Sequence, residues 1–190
     1  MAEKEPKPFR QVAKENPVGL GLVTMMTAAR PVFGEIARRK VENGNLKKAE
    51  KWMLAAAATD LEGYPARWLN VTSIFGAKAD PVADGMLRLS AARAFWKRMK
   101  GTVGTLTALE LANLALNAKV QQGEEKPKIP FEAKVGTFIQ FIGFDGVIRG
   151  IDENDKRKTA VGKGLIFVGT AIRTATYAKE YKKKKAQNAT

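Results

Sequence analysis

The 190-residue chain contains no cysteine and no histidine. Those two absences exclude disulfides, thiol nucleophiles, Cys/His zinc sites and every catalytic triad built on an imidazole base. A metal bound here must be held by oxygen, which selects Mg²⁺, Mn²⁺ or Ca²⁺, and Mg²⁺ usually arrives with substrate phosphate. Acids are scarce as well: 19 Asp and Glu stand against 33 Lys and Arg, for a formal charge of +14. Such a surplus attracts polyanions, whether nucleic acid, an anionic lipid surface or a phosphorylated ligand, and does not choose among them. Long apolar runs are also lacking. A spanning helix needs about 20 mostly apolar residues, and the best stretch, GTVGTLTALELANLALNA at 101–118, is broken by Glu110. Stretches near 17–33 and 161–178 each carry Lys or Arg, and 81–100 has Arg88 and Arg93 in mid-helix. Hydropathy alone therefore predicts a soluble or peripherally bound bundle, although single charges are tolerated in a membrane when they face the bundle interior. The first 17 residues, MAEKEPKPFRQVAKENP, hold no apolar core of the length an export signal needs, so export is not expected.

What is present argues for one folded domain. The apolar fraction of 45% is ordinary for a globular chain. Gly and Pro punctuation, read with apolar spacing, predicts six helices near 17–43, 46–62, 81–99, 102–122, 132–149 and 158–181, with no convincing strand. The breaks are ENGN at 42–45, Gly63 and Pro65, Asp80-Pro81, GEEKPKIP at 123–130 and DENDKRK at 152–158. The expected organisation is a charged N-terminal segment at 1–16, an all-α six-helix bundle at 17–181 and a basic tail at 182–190. The tail suits anionic head groups or simple solvation. VGKG at 161–164 lacks the spacing of a phosphate-binding loop. Trp52, Trp68 and Trp96 near the segment ends suit either a membrane interface or core packing.

The chemistry concentrates in TDLEGYPARWLNVTSIFGAKADPVADGML, residues 59–87. Gly76, Asp80 and Asp84 recur every four residues, which on a helix stacks them on one face and brings two carboxylates within reach of one cation. Upstream, Asp60 and Glu62 add acids, Gly63 leaves room for a ligand, and Arg67 offers a planar fork for phosphate. Two structural readings compete. Asp80 before Pro81 is a standard helix start, and Thr59-x-x-Glu62 matches a capping box, although Gly63 and Pro65 would then fall inside the helix so started.

As a set, these residues resemble the signature of the CDP-alcohol phosphatidyltransferase family, D-x-x-D-G-x-x-A-R, eight residues, then G-x-x-x-D-x-x-x-D. The chain supplies Gly63, Ala66 and Arg67, then eight residues, then Gly76, Asp80 and Asp84. GAKADPVADGML is similar to the phosphatidylglycerophosphate synthase branch, and AKVGTFIQ at 133–140 resembles a later basic segment of the family, with Lys134 and Thr137 at matching positions. The resemblance implies a six-helix, multi-pass membrane domain in the cell membrane with its active site facing the cytoplasm, and is compatible with a homodimer. It implies Mg²⁺ or Mn²⁺ held by Asp60, Glu62, Asp80 and Asp84. Asp84 would be the catalytic base, with Gly63, Ala66, Arg67 and Gly76 at the nucleotide. The substrates would be a CDP-alcohol such as CDP-diacylglycerol and a small alcohol such as glycerol 3-phosphate, with release of CMP. Arg30 and Lys134 are candidate phosphate or acceptor contacts.

The chain departs from the signature at its first half. Strict spacing puts Thr59 where the family has its first Asp, and Asp60 lies two residues before Glu62 instead of three. On an ideal helix that turns Asp60 about 200° from Glu62. An active transferase with a rearranged site and a family member that only binds nucleotide or lipid both stay open. A basic helical nucleic-acid binder is the least favoured reading, since no zinc finger, RRM-like aromatic motif or GxxG clamp supports it.

Overall fold

Turn chemistry fixes the helix ends. Asn16 closes one short helix and caps the next, its Oδ1 accepting the Gly19 N–H at 2.9 Å. Gly44, at φ 72°, provides the left-handed residue that turns the chain after Glu42. At the last turn Asp155 Oδ1 accepts the N–H groups of Arg157 and Lys158. The computed structural model describes residues 7–59, 68–69, 71, 73–95, 100–122 and 129–187. Among them lie α1 (Phe9–Glu15), α2 (Pro17–Glu42), α3 (Leu46–Ala58), α4 (Ile74–Ala94), α5 (Lys100–Gln121), α6 (Phe131–Asp152) and α7 (Lys156–Gln187). The chain is thus all-helical there, with a single isolated bridge, Lys7 to Ser73, as its only β feature among the described residues. Six long helices match the expected bundle, and α1 is a seventh, short one within the charged N-terminal segment.

Three boundaries differ from the sequence expectation. α4 begins at Ile74, not Pro81: Ser73 is the cap, its Oγ accepting the Gly76 N–H at 3.0 Å, and Pro81 lies inside the helix. Asp80 is therefore an interior helical residue, and the N-cap reading of Asp80 is overturned. α3 ends at Ala58, where Thr59 donates its hydroxyl to the Ala56 carbonyl at 2.6 Å. Thr59 thus closes α3, and Glu62, its partner in the expected capping box, lies outside the described residues. α7 runs on to Gln187, and Lys184 Nζ donates to the Val120 carbonyl at 2.6 Å and to that of Gln122. The amine thereby satisfies carbonyls at the end of α5 that have no partner within that helix.

Long helices alternate in direction. α2 and α4 run parallel, as the successive pairs Thr27–Asp80, Arg30–Asp84 and Gly34–Leu87 show. α5 opposes α4 through Arg88–Glu110 and Gly85–Leu114, and runs with α7 through Glu110–Arg173 and Val120–Lys184. α3 opposes α2, with Trp52 tilted against Phe33 and Arg30 reaching Thr59. α6 and α7 form the closest pair. A Cβ on Gly169 would lie 2.3 Å from the Gly136 carbonyl oxygen, and one on Gly143 would lie 2.6 Å from the Ile166 nitrogen. Only glycine permits that approach, and small residues at helix crossings are the packing device of helices in lipid.

The bundle interior divides along its axis. Leu87, Ala91, Phe95, Leu106, Phe144, Val147, Ile148 and Ile166 form the apolar core of one half. In the other half the same helix faces carry Asp84 and Arg88, Glu110 and Asn113, Gln140, and Thr170 and Arg173 in place of apolar side chains. Outside, apolar stripes are exposed, with Val18, Leu22, Met25 and Val32 along α2 and Phe131, Phe138 and Ile142 along α6. Among the described residues no helix is long and apolar enough to cross a membrane.

Candidate functional site

The polar half of the bundle contains the second half of the signature. Because α4 starts at Ile74, Gly76, Asp80 and Asp84 all fall on one helix at spacing four and share a face, which points toward α2. Asp80 Oδ1 accepts the Thr27 hydroxyl at 3.1 Å, and Asp84 Oδ1 accepts Arg30 Nη1 at 2.5 Å. The Arg30 side chain is 3% exposed and that of Asp84 18%. Arg30 also donates through Nη2 to the Thr59 carbonyl at 3.1 Å. One buried guanidinium thus ties α4 to the end of α3, where the first half of the signature begins.

Arg30, a candidate phosphate or acceptor contact, directs its guanidinium to Asp84 and the Thr59 carbonyl in the interior. Lys134 is exposed on the first turn of α6 and does not join the hydrogen-bonded set around Asp80 and Asp84. Thr137 turns back on its own helix, donating to the Ala133 carbonyl at 3.1 Å. Asp60, Glu62, Gly63, Ala66 and Arg67 lie outside the described residues, as does Trp96. Trp68 is 83% exposed.

Deeper along the same face the four-residue step continues from Asp84 to Arg88, and here the structure shows a second charged cluster. Glu110 accepts Arg88 Nε at 3.0 Å, Arg173 Nη1 at 2.8 Å and 2.9 Å, and Gln140 Nε2 at 2.7 Å. Gln140 also donates to Thr170 Oγ1 at 3.1 Å and accepts from Arg173. Four helices therefore meet on one carboxylate that is 1% exposed. Leaving any member of such a buried set unpaired is expensive; in Arg173, the buried Nε has no hydrogen-bond partner among the described residues. Tyr177, one turn beyond Arg173 and buried, lies within electrostatic reach of Arg173, Arg88 and Asp84.

Thr27, Arg88, Gln140 and Tyr177 were not singled out from sequence. A signal existed for Arg88, which extends the spacing of Gly76, Asp80 and Asp84, and for Glu110 and Arg173, each a lone charge in an apolar stretch.

Asp80 and Asp84 offer two oxygen donors one helical turn apart, the donor type a hard divalent cation takes. Only Oδ1 of each is engaged among the described residues. No group of three acids able to hold a metal ion occurs among the described residues, so a complete ligand set requires donors from the 60–67 segment or from substrate. Within that limit the pair fits half of a divalent-metal site. Comparison with known proteins gives one result: a family model described as CDP-alcohol phosphatidyltransferase matches residues 20–169. No curated protein and no solved structure gives a match.

Proposed function

Because this chain belongs to the CDP-alcohol phosphatidyltransferase family, which moves a phospho-alcohol group from a CDP-alcohol to an alcohol, we propose that it transfers the phosphatidyl group of CDP-diacylglycerol to a small alcohol. Glycerol 3-phosphate is the acceptor suggested by the likeness of GAKADPVADGML to the phosphatidylglycerophosphate synthase branch. The observation that carries the reading is the pair Asp80 and Asp84, set on one face of α4 and each steadied from α2 by Thr27 or Arg30.

In this reading Asp84 takes the proton of the acceptor hydroxyl. The freed oxygen forms a bond to the β-phosphorus, the bond from that phosphorus to the bridging oxygen breaks, and CMP leaves with the electron pair. Arg30 fixes Asp84 Oδ1, which leaves Oδ2 to meet the hydroxyl within hydrogen-bond distance. Asp80 and Asp84, with Asp60 and Glu62, would hold a divalent ion such as Mg²⁺ or Mn²⁺. When bound, that ion neutralises charge on the pyrophosphate. Gly63, Ala66, Arg67 and Gly76 are assigned to the nucleotide by position in the signature.

We place the bundle in the membrane. Helices of 21 to 26 residues, such as α4 and α2, measure about 32 to 39 Å, close to the thickness of a bilayer core. Four of the charges that lower their hydropathy, Arg30, Arg88, Glu110 and Arg173, are buried and paired inside, whereas Arg93 is exposed near the end of α4; the exposed stripes on α2 and α6 are apolar. Lysines near both ends of the chain favour a cytoplasmic site with both termini inside.

Thr59 favours a second reading. It stands at the first acidic position of the signature, and its hydroxyl is turned to Ala56. A family member that binds a CDP-alcohol without turning it over would share this feature. CMP release from CDP-diacylglycerol in detergent, with Mg²⁺, Mn²⁺ or EDTA and a panel of acceptors, separates the two. Metal-dependent release with one acceptor supports the transferase, and release with none supports the binder.

A further inference from the structure

Asn113 on α5 is 0% exposed, and among the described residues neither its Oδ1 nor its Nδ2 has a hydrogen-bond partner. Burial of an amide with both polar atoms unmatched opposes folding, and such a group calls for an explanation. Its position provides one. Glu110, Asn113 and Asn117 are all buried and follow one another at spacings of three and four, so they share a face of α5. At Glu110 that face meets Arg88 of α4 and Arg173 of α7. α4 runs against α5, so one turn further along α5 corresponds to Asp84; the contact between Gly85 and Leu114 fixes that register. α7 runs with α5, so the same step leads from Arg173 to Tyr177. Asn113 consequently lies in the layer of Asp84 and Tyr177, one turn from the Glu110 cluster.

We propose that Asn113 is a specificity residue of the transfer site, its amide pairing with a hydroxyl of the small acceptor alcohol that Asp84 deprotonates. An amide donates through Nδ2 and accepts through Oδ1, so it matches a hydroxyl, which does both. A site built to hydrogen-bond a hydroxyl discriminates strongly against compounds lacking it. Asn113 is thus kept at the expense of stability, which is recovered when the acceptor binds. The inference rests on the transferase reading, which names the ligand class.

The test uses the full chain in detergent, as wild type and as Asn113→Leu, which keeps the branched four-atom side chain and removes both polar atoms. Thermal unfolding is followed alone and with millimolar glycerol 3-phosphate, glycerol, serine or inositol. At least one compound is expected to raise the wild-type midpoint. The variant is expected to unfold at the same temperature or about 2–4 °C higher without ligand, and to lose the ligand-induced rise. In the turnover assay its acceptor KM rises about tenfold, a loss of about 1.4 kcal/mol. If the leucine variant does not accumulate, Asn113→Ala is read in its place. A lower ligand-free midpoint in both variants would show that Asn113 serves the fold and would overturn the proposal. So would a ligand-induced rise that survives the substitution, or no rise in wild type with any compound. Failure of the transferase reading shows separately, as absence of CMP release from a wild type that still responds to a compound in the melt.

Discussion

Arg30 and Asp84 form an ion pair 2.5 Å long between α2 and α4, and the same guanidinium holds the carbonyl of Thr59 at 3.1 Å. Arg30 precedes the segment matched by the signature, yet it is the side chain that links the end of α3 to the second pair of signature acids. Its removal leaves a carboxylate that is mostly buried without its cation. Arg30→Met is expected to lose about 3 kcal/mol of stability. Arg30→Lys keeps the charge but not the fork that reaches two partners, so it should keep most of the stability and lose about tenfold in turnover. Denaturant unfolding together with CMP release reads both effects; a fully active methionine variant would refute this role.

Glu110 is the shared ion-pair partner of two buried arginines, Arg88 and Arg173. Glu110→Ala is expected to destabilise the bundle by about 3–5 kcal/mol, because two charges lose their partner in the interior. The quadruple variant Arg88→Met, Glu110→Leu, Gln140→Leu, Arg173→Met replaces the three charges and the amide that bonds them with apolar side chains and is expected to unfold at or above the wild-type midpoint. If the single variant matches wild type in a thermal melt, the cluster carries no such burden.

Two glycines of α7 separate packing from propensity. Gly169 lies where a Cβ would meet the α6 backbone at 2.3 Å, whereas Gly164 has nothing within 4 Å. Gly169→Ala should destabilise by about 1–3 kcal/mol through overpacking. Gly164→Ala should stabilise by about 0.5–1 kcal/mol through the lower entropy of alanine. Equal shifts in the two unfolding midpoints would contradict the observed α6–α7 crossing.

Membrane placement has its own check. The chain is expected to stay with the membrane pellet through an alkaline carbonate wash, and a reporter fused after Thr190 should be cytoplasmic. Release into the wash, or an external reporter, argues against the proposed placement.

Much of the fold was legible because the turns announce themselves. ENGN at 42–45 contains Gly44, the one glycine with positive φ among the described residues, and DEND at 152–155 contains Asn154 at φ 54° and the capping Asp155. Asp80-Pro81 misled because it has the local form of a helix start. Ser73 had already supplied the cap, and a proline inside a helix, at a typical penalty of about 3 kcal/mol, is accommodated where packing holds both sides. The N-terminal shift of that boundary puts Gly76, Asp80 and Asp84 on one rigid element.

Within the site, the spacing of Gly76, Asp80 and Asp84 could be read directly, but their partners could not. Thr27 and Arg30 lie on α2 and Tyr177 on α7, and no periodicity within a segment reveals which distant helix it faces. The lone charges were an indirect signal. Glu110 in the most apolar stretch, and Arg173 in another, lowered hydropathy along the chain because a window average cannot distinguish a charge paired in the interior from one facing outward.

Proton abstraction by Asp84 is central to the proposed transfer, and its most direct measurement is CMP release from CDP-diacylglycerol by wild type and Asp84→Asn, with Mg²⁺ and the acceptor that wild type uses. Asparagine retains an oxygen for Arg30 and cannot take the hydroxyl proton at neutral pH. Turnover is expected to fall by about 10²–10⁴-fold with the fold intact. Turnover by Asp84→Asn within a few-fold of wild type would contradict that role.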